Sequence, residues 1–182
     1  MDGRPSPIDL ILLGFLWEED LSPYQLANAL SARQVSRFLK ISVPAVYKRC
    51  KTLSAEGLVD ARVHRAGAHP EKTVYRLNAA GKARFYELMR HFSSNLSPLY
   101  LDSNTFIWNL EKLERPQGLQ MLQSMRAGIA ELHDWLVQHE AANAASAAFS
   151  TRAIMKQYRM LFATLRLWSE EVLDDYQQPG EP

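Results

Sequence analysis

Residues 42–57 read Ser42-Val-Pro-Ala-Val-Tyr-Lys-Arg-Cys-Lys-Thr-Leu-Ser-Ala-Glu-Gly57, and this run carries the strongest structural signal in the chain. Serine is a preferred N-cap, proline is accepted in a first helical turn, and glycine can end a helix in a left-handed conformation. At about 100° per residue, Val46, Cys50 and Leu53 share one face. We therefore predict a helix from Val43 to Glu56 with one buried stripe. Its opposite face and flanks carry Pro44, Tyr47, Lys48, Lys51, Thr52 and Ala55.

Two shorter helices are predicted upstream of this run. Ser6-Pro7 combines an N-cap with a proline at the first helical position, and apolar residues recur at helical spacing from Ile8 to Leu16. The segment from Ser22 to Gln25 combines a serine, a proline and a glutamine three residues after the serine, which is the pattern of a capping box. We expect this second helix to run to about Leu30.

A hairpin and a fourth helix are predicted downstream. Residues 58–64 and 73–77 are rich enough in β-branched and aromatic residues to read as strands, and the glycine and proline between them mark a turn. Asn78 is an N-cap candidate for a helix whose apolar residues Phe85, Leu88 and Phe92 are three and four apart.

Three helices, a hairpin and a further helix, with a basic third helix and a basic hairpin tip, are typical of a winged helix-turn-helix. An α-helix fits the major groove of DNA, where its first side chains reach base edges, while the hairpin lies along a neighbouring groove or backbone. We therefore expect residues 1–92 to form a DNA-binding domain. The residues expected to face DNA are Ser42, Pro44, Tyr47, Lys48, Lys51, Arg65, His69 and Lys72.

The charge of the chain is divided unevenly between its halves. The formal net charge is only +1, yet residues 1–92 hold 14 Lys/Arg against 9 Asp/Glu, or +5, and residues 93–182 hold 7 against 11, or −4. Such an asymmetry favours a polyanionic partner for the N-terminal half, although an ordinary solvated surface gives the same count. For the same reason the basic connector at 33–40 is either a further DNA contact or simply solvated.

Composition also excludes several classes of protein. A hydrophobic content of 47% with little net charge excludes whole-chain disorder, and no apolar stretch is long enough to span a membrane. The N-terminus lacks the basic lead-in and cleavage site of a signal peptide. The single cysteine, Cys50, cannot form an internal disulfide. We expect a cytoplasmic protein.

The polar stretch Ser93 to Pro98 marks the predicted boundary of a second domain, residues 93–182, which is helical throughout. Two seams with an average spacing of 3.5 residues run along it, as in coiled coils. The alanine- and serine-rich connector 141–150 predicts that the two helices fold back as an antiparallel hairpin. The seams, which we expect to mediate dimerisation, comprise Leu122, Met125, Ile129, Leu132 and Leu136, and Ile154, Tyr158, Leu161, Leu165, Trp168 and Val172.

Residues 8–92 resemble the PadR-type transcriptional regulators. The resemblance is carried by Ile11-Leu-Leu-Gly-Phe-Leu, Ser22-Pro-Tyr-Gln-Leu26, the run from Val43 to Val59, and His69-Pro-Glu-Lys-Thr-Val-Tyr-Arg-Leu-Asn-Ala-Ala-Gly81. The most specific parts are the tyrosine of the third helix followed by Leu-x-x-x-Gly-Leu-Val, and the hairpin's Pro-x-Lys…Tyr-x-Leu-x-x-x-Gly. The two long C-terminal helices are similar to the larger subfamily of these regulators.

The resemblance implies a bacterial homodimer that binds a palindromic operator, in our interpretation as a repressor, through a dimer built by the C-terminal helices. It further implies that the effector, where one exists, is often a small aromatic compound. By residue, Tyr47 corresponds to the family's recognition-helix tyrosine, and Pro70 and Lys72 to its wing motif. The chain departs from the family at the starts of the second and third helices, where the usual His-Gly-Tyr and Gly-Thr-Leu-Tyr are Ser22-Pro-Tyr and Pro44-Ala-Val-Tyr.

Other readings remain open from the sequence. The tryptophans Trp17, Trp108 and Trp135 could stack on an aromatic effector or belong to a dimer core, and Tyr47 could pack within its domain. No Cys/His group has zinc spacing, and no phosphate loop or nucleophile elbow is present, so we expect no metal, no cofactor and no catalysis. The second hypothesis for function is a winged-helix adaptor that contacts proteins without sequence-specific DNA binding.

Overall fold

The computed structural model of the chain describes residues 5–64, 72–143 and 147–178. Contacts divide the chain into two units, residues 1–98 and 99–182. The elements of the first unit are, in chain order, α1 (Pro7–Glu18), α2 (Pro23–Ala32), a 3-10 turn (Val35–Arg37), α3 (Val43–Ala55), β1 (Val59–His64), β2 (Lys72–Leu77) and α4 (Ala79–Ser94). Those of the second are α5 (Ser103–Asn109), a 3-10 turn (Leu110–Lys112), α6 (Arg115–Asn143) and α7 (Phe149–Gln177).

Side-chain caps start the four helices of the first unit, as their sequences predict. Ser6, Ser42 and Asn78 each accept a hydrogen bond from a backbone N–H three residues on. Ser22 does the same, and its own N–H donates to Gln25 Oε1 at 3.1 Å, which completes the capping box. Each cap contributes about 1 kcal/mol by satisfying a backbone donor that has no partner within its helix.

Two residues with positive φ follow the ends of helices in this unit. Gly57, two residues after α3 ends at Ala55, has a φ of 72°, as predicted for a glycine that ends a helix. Helix α2 runs two residues past the predicted end at Leu30, and Gln34 then adopts a φ of 53° before the 3-10 turn. The sequence predicts only a connector here, because a 3-10 turn of three residues leaves no periodic signal.

The strands β1 and β2 pair antiparallel, with Val59 opposite Leu77 and His64 opposite Lys72. Leu21 forms an isolated antiparallel β-bridge with Tyr75: its N–H donates to the Tyr75 carbonyl at 3.1 Å and the Tyr75 N–H donates to the Leu21 carbonyl at 2.9 Å. The base of the hairpin is therefore tied to the segment that precedes α2.

One apolar core holds the first unit together. Leucines of α1 and α2 meet the stripe Val46, Cys50 and Leu53 of α3, the inner face of the hairpin and Leu88 of α4. Burying a leucine side chain contributes roughly 1.5–3 kcal/mol, so this shared core fixes α3 against its neighbours.

A second, smaller cluster holds the C-terminal unit. Leu110, Leu122 and Leu173 are buried in it, with partly buried side chains from α5, α6 and α7 around them. The ion pairs Glu140–Arg159 and Asp134–Arg166 join α6 and α7 in antiparallel register. The predicted antiparallel hairpin is confirmed. Within the described ranges, none of the helices combines the length and apolar character needed to cross a bilayer.

Gly81 marks the tightest approach between α4 and the hairpin. A Cβ at this position would overlap the Leu58 carbonyl oxygen and lie 2.6 Å from Leu77 Cδ1. We expect Gly81→Ala to lower the free energy of unfolding by about 1–3 kcal/mol, because a backbone oxygen cannot move aside as a side-chain tip can. The measurement is the urea unfolding midpoint.

Gly128 is the matched control for this substitution. A Cβ at this helical position in α6 meets no atom within 4 Å. Gly128→Ala should therefore stabilise the chain by about 0.5–1 kcal/mol, the helical preference of alanine over glycine. Equal effects of the two substitutions would show that the close approach at Gly81 has no energetic weight.

Candidate nucleic-acid interface

Helix α3 is held with one face in the core and the other in solvent. Val46, Cys50 and Leu53 have almost no exposed surface. Ser42, at the N-cap, and Pro44, in the first turn, begin the helix at the surface of the unit. These buried residues, which are the ones that the sequence predicts, decide which side of α3 faces solvent.

The exposed face of α3 brings together the five residues predicted there. In Tyr47, 40% of the surface is exposed to solvent. All five residues are exposed: Ser42, Pro44, Tyr47, Lys48 and Lys51. Two lysine ammonium groups, a phenol and a serine hydroxyl on one helix face provide cations for phosphates and hydrogen-bonding groups for base edges. We name this set, Ser42, Pro44, Tyr47, Lys48 and Lys51, the α3 face.

The hairpin adds basic side chains on its outer face. Alternation places Val59, Tyr75 and Leu77 inward, where they are buried. The residues between them in the register point outward, so Arg62 and Lys72 share the outer face and are both exposed. Arg62 is absent from the predicted set, although strand alternation alone would have identified it. The predicted Arg65 and His69 lie outside the described residues, as does Pro70.

Arg33, in the basic connector, is engaged within the chain. Its guanidinium donates two hydrogen bonds to the Glu18 carboxylate, at 3.0 and 2.6 Å, and lies 4.7 Å from the centre of the Phe15 ring. The hydrogen bond from Arg33 lowers the pKa of Glu18, and the bond to Glu18 raises the pKa of Arg33. Both groups are exposed, so the pair adds at most about 1 kcal/mol of stability.

Arg49 is engaged in a second, less exposed ion pair. Its Nε donates to Asp9 Oδ1 at 2.7 Å and a terminal nitrogen donates to Asp9 Oδ2 at 2.5 Å. Asp9 is buried, with 4% of its surface exposed. The pairing joins residues 40 positions apart, which no local sequence pattern predicts. The sequence does contain one sign of such a pair: Asp9 is a carboxylate within the apolar run 8–17, and a charge that is buried there requires a partner.

Cys50 lies beneath the α3 face and is fully buried. Burial raises the pKa of its thiol from its usual value near 9 to about 11, and burial also raises the pKa of Tyr75. The unfolded chain therefore releases the thiol proton first as the pH rises. The contribution of Cys50 to stability is fully present below about pH 9 and is lost as the pH rises toward about 11.

We expect Cys50 to resist alkylation in the folded protein at pH 8, because only the exposed thiolate reacts. Iodoacetamide labelling followed by mass spectrometry should show slow modification in buffer and rapid modification in concentrated urea. Equal rates in the two solutions would contradict the burial of this thiol.

The three tryptophans predicted as ligand contacts have different ring neighbours. Trp17 packs on Phe85 and Tyr86, with ring centres 5.3 and 5.7 Å away. Trp135 stacks on His139 at 4.8 Å. Trp108 keeps 84% of its surface exposed and lines an open cavity of about 440 Å³ with Asn104, Ile107 and Glu111. No single pocket among those described includes more than one of these tryptophans.

The predicted dimerisation residues divide into two groups. Leu122 and Leu136 are buried within the single chain, so they stabilise the chain's own helices and have almost no surface left for a second molecule to cover. The predicted contact with a partner therefore rests on the other seam residues. The others keep exposed surface: Leu132 is exposed, and Met125, Ile129, Ile154, Tyr158, Leu161, Leu165, Trp168 and Val172 are partly exposed.

Helical geometry places much of this remaining apolar surface on one side of the hairpin. On α7, Ile154, Leu161 and Trp168 recur every seven residues, roughly 100° round the axis from the buried Ser169 and Leu173. On α6, Met121, Leu132 and Trp135 are offset in the same sense from the buried Leu122 and Leu136, by roughly 90° on average, whereas the exposed Val137 lies on the other side. Because the two helices are antiparallel, offsets in the same rotational sense place these residues of α6 and α7 on the same side of the hairpin. We name it the hairpin face; it comprises Met121, Leu132, Trp135, Ile154, Leu161 and Trp168.

Among the described residues, no group of three or more His, Cys, Asp or Glu side chains could hold a metal ion. The one cysteine, Cys50, is a buried neutral thiol. The α3 face offers hydrogen-bonding groups and two ammonium groups that can bind anions.

Comparisons with known proteins agree with this architecture. Residues 12–87 match the model of the Transcriptional regulator PadR-like family. No curated protein matches the chain. Among solved structures, PadR of Bacillus subtilis in complex with operator DNA is 17% identical, with a TM-score of 0.78 over 96% of this chain and 100% of that one.

Two further structures show the same fold. PadR of Bacillus subtilis in complex with p-coumaric acid is 16% identical, with a TM-score of 0.74 over 97% of this chain and 100% of that one. The Vibrio cholerae virulence activator AphA is 18% identical, with a TM-score of 0.66 over 92% of this chain and 96% of that one. Residues 12–87 of the chain are therefore a PadR-like winged helix, joined to C-terminal helices in the fold of the PadR-like transcriptional regulators.

Proposed function

We propose that the chain is a sequence-specific DNA-binding regulator of transcription that acts as a homodimer on a palindromic operator. The observation that carries the proposal is the α3 face, where Lys48 and Lys51 stand beside Ser42 and Tyr47 on the exposed side of a helix fixed by its core. A PadR of the same fold has been solved with operator DNA. In this proposal the chain acts in the cytoplasm and catalyses no reaction.

The two lysines contact phosphates, and the first residues of α3 read base edges. An exposed ammonium group releases a counterion from DNA when it neutralises a phosphate, which gives affinity without sequence preference. Ser42, Pro44 and Tyr47 lie in the first turns of the helix, the part that reaches the floor of the major groove in helix-turn-helix proteins. Lys72 and Arg62, on the outer face of the hairpin, supply further phosphate contacts, with Arg65 and His69 completing the predicted wing.

The hairpin face is the surface that we propose for homodimerisation. It presents Leu132, Trp135 and Trp168 with partly uncovered surface, and burial of such large side chains is the main source of affinity at protein interfaces. The acidic charge of residues 93–182 keeps this part of the dimer away from phosphates. A twofold dimer presents two copies of α3, and a palindromic operator matches that symmetry.

Repression is the mode of action that we propose. A dimer seated on a promoter excludes the polymerase by occupying its site, which requires no further contact surface. Placing the bound fragment ahead of a reporter gene gives the sign: deleting the regulator should raise expression. A fall in expression on deletion would instead assign it to activators.

A small aromatic compound is the effector that we propose. Trp17 and Trp108 keep enough exposed surface to stack on an aromatic ring, whereas Trp135 is available to an effector only where the dimer leaves the hairpin face uncovered. One PadR of this fold has been solved with p-coumaric acid. Titration with p-coumaric acid should quench tryptophan fluorescence and release DNA, whereas cyclohexanecarboxylic acid should do neither. Phe substitutions at each tryptophan in turn would identify the site.

Selection of bound fragments from genomic DNA tests the proposed function directly. We expect one or a few palindromic fragments to be enriched, with an affinity that falls at least about tenfold between 50 and 200 mM salt. If no fragment is enriched while a protein partner copurifies, the adaptor hypothesis replaces the regulator.

A further inference from the structure

The described residues contain one charged side chain that is buried, the carboxylate of Asp9 on α1. Both of its oxygens accept hydrogen bonds from Arg49 on α3. Burying a charge costs free energy unless the charge is paired, so packing alone does not explain why this pair is present. We call it the Asp9–Arg49 pair.

The Asp9–Arg49 pair constrains α3 in a way that the apolar core does not. Apolar contacts such as those of Val46 and Cys50 have no directional preference, and small side chains allow a helix to roll. A planar guanidinium bound through two nitrogens to one carboxylate fixes both the roll of α3 and its position along its axis. Arg49 directly follows Lys48, so any roll of its backbone moves the α3 face.

Small rotations are sufficient to disturb base recognition. The side chains of a helix extend about 5–6 Å from its axis, so a roll of about 20° displaces their ends by about 2 Å. That displacement breaks a hydrogen bond of 2.7–3.2 Å to a base edge. A contact between a flexible lysine and a phosphate tolerates the same displacement, because it depends mainly on charge and distance.

We propose that Asp9 is a positioning residue for the recognition helix: by holding Arg49 through both carboxylate oxygens, it sets the roll of α3 and so the discrimination between operator and other DNA. This inference rests on the proposed DNA-binding function. Because Arg49 is bound to Asp9, we do not count it among the phosphate contacts, although it lies between Lys48 and Lys51 on α3. Operator discrimination therefore depends on an acidic side chain that does not touch DNA.

The first test replaces the pair by apolar side chains of similar size, Asp9→Leu with Arg49→Met. Exchanging a buried ion pair for a packed apolar pair is often neutral for stability, so this variant separates folding from positioning. Binding is measured to a fragment selected by the parent protein and to a scrambled fragment of the same composition, each at several salt concentrations.

We expect the double variant to bind the scrambled fragment with the parent's affinity and salt slope, because Arg49 contacts no phosphate. Its ratio of operator to scrambled affinity should fall about 10- to 100-fold, the effect of one or two lost base contacts. A double variant that melts with the parent and keeps this ratio within about twofold overturns the proposal.

Arg49→Lys is the second variant, in case the double variant does not fold. Lysine keeps the positive charge opposite Asp9 but has no planar group that can donate to both carboxylate oxygens. The ratio of operator to scrambled affinity should therefore fall, while the thermal midpoint changes little. Full discrimination by Arg49→Lys overturns the positioning role. If the parent protein binds no fragment at all, the proposed function is wrong, and this inference is wrong with it. If the parent and the variant discriminate equally well between operator and scrambled DNA, only the inference is wrong.

Discussion

Replacing Lys48 and Lys51 together by alanine should weaken DNA binding on the order of 100-fold at 0.1 M salt. A dimer loses four cations from its two α3 faces, and each phosphate contact contributes about 0.9 to the slope of log K against log salt. The slope should therefore fall by about 3 to 4. Both side chains are exposed, so the thermal midpoint should stay close to the parent's. Fluorescence anisotropy with a labelled operator fragment measures the affinity and the slope together.

Lys112 and Lys156 provide the matched control. Both lie in the C-terminal unit, and replacing them by alanine changes the net charge of the chain by the same amount. This control should bind operator DNA with nearly the parent's slope. If the two double variants lose equal affinity, the effect comes from net charge and the α3 face has no special role.

A charge introduced on the hairpin face should convert the dimer to a monomer. Leu132→Glu with Leu161→Glu places four carboxylates in the interface of the proposed dimer, and isolated charges resist burial by several kcal/mol each. Light scattering at micromolar concentration should give twice 20.8 kDa for the parent and 20.8 kDa for the variant. Operator affinity should fall at least about 100-fold, because each half-site is then bound independently.

Leu167 offers a control on the same helix. It is exposed, and it lies roughly 120° round the axis of α7 from Leu161, away from the hairpin face. Leu167→Glu should leave the mass at twice that of one chain. A monomeric parent would contradict the homodimer itself, and a dimeric Leu132→Glu/Leu161→Glu variant would show that a different surface joins the chains.

The sequence predicts the first unit well because its signals are local. Caps at Ser6, Ser22, Ser42 and Asn78 act over three residues, and helical or alternating periodicity decides what is buried. These signals place the α3 face correctly on the exposed side. The resemblance to PadR-type regulators is confirmed by the family match over residues 12–87.

Contacts between distant residues were beyond such reasoning. The Asp9–Arg49 pair spans 40 residues, and the Leu21–Tyr75 bridge spans more, so neither leaves a periodic trace in the sequence. In the C-terminal unit a spacing of 3.5 residues identified the apolar seams but could not tell which of their residues pack within the chain. Leu122 illustrates the difference, since its burial is complete without a second molecule.

The Leu21–Tyr75 bridge has a consequence for the DNA itself. It ties the base of the hairpin to the segment that precedes α2, and α2, α3 and the base of the hairpin share one apolar core. In the proposed complex the distance between α3 and the base of the hairpin therefore changes little when the groove width of the DNA changes. The duplex must then bend or narrow to fit, and bases that the protein never touches will influence affinity through the stiffness of their steps.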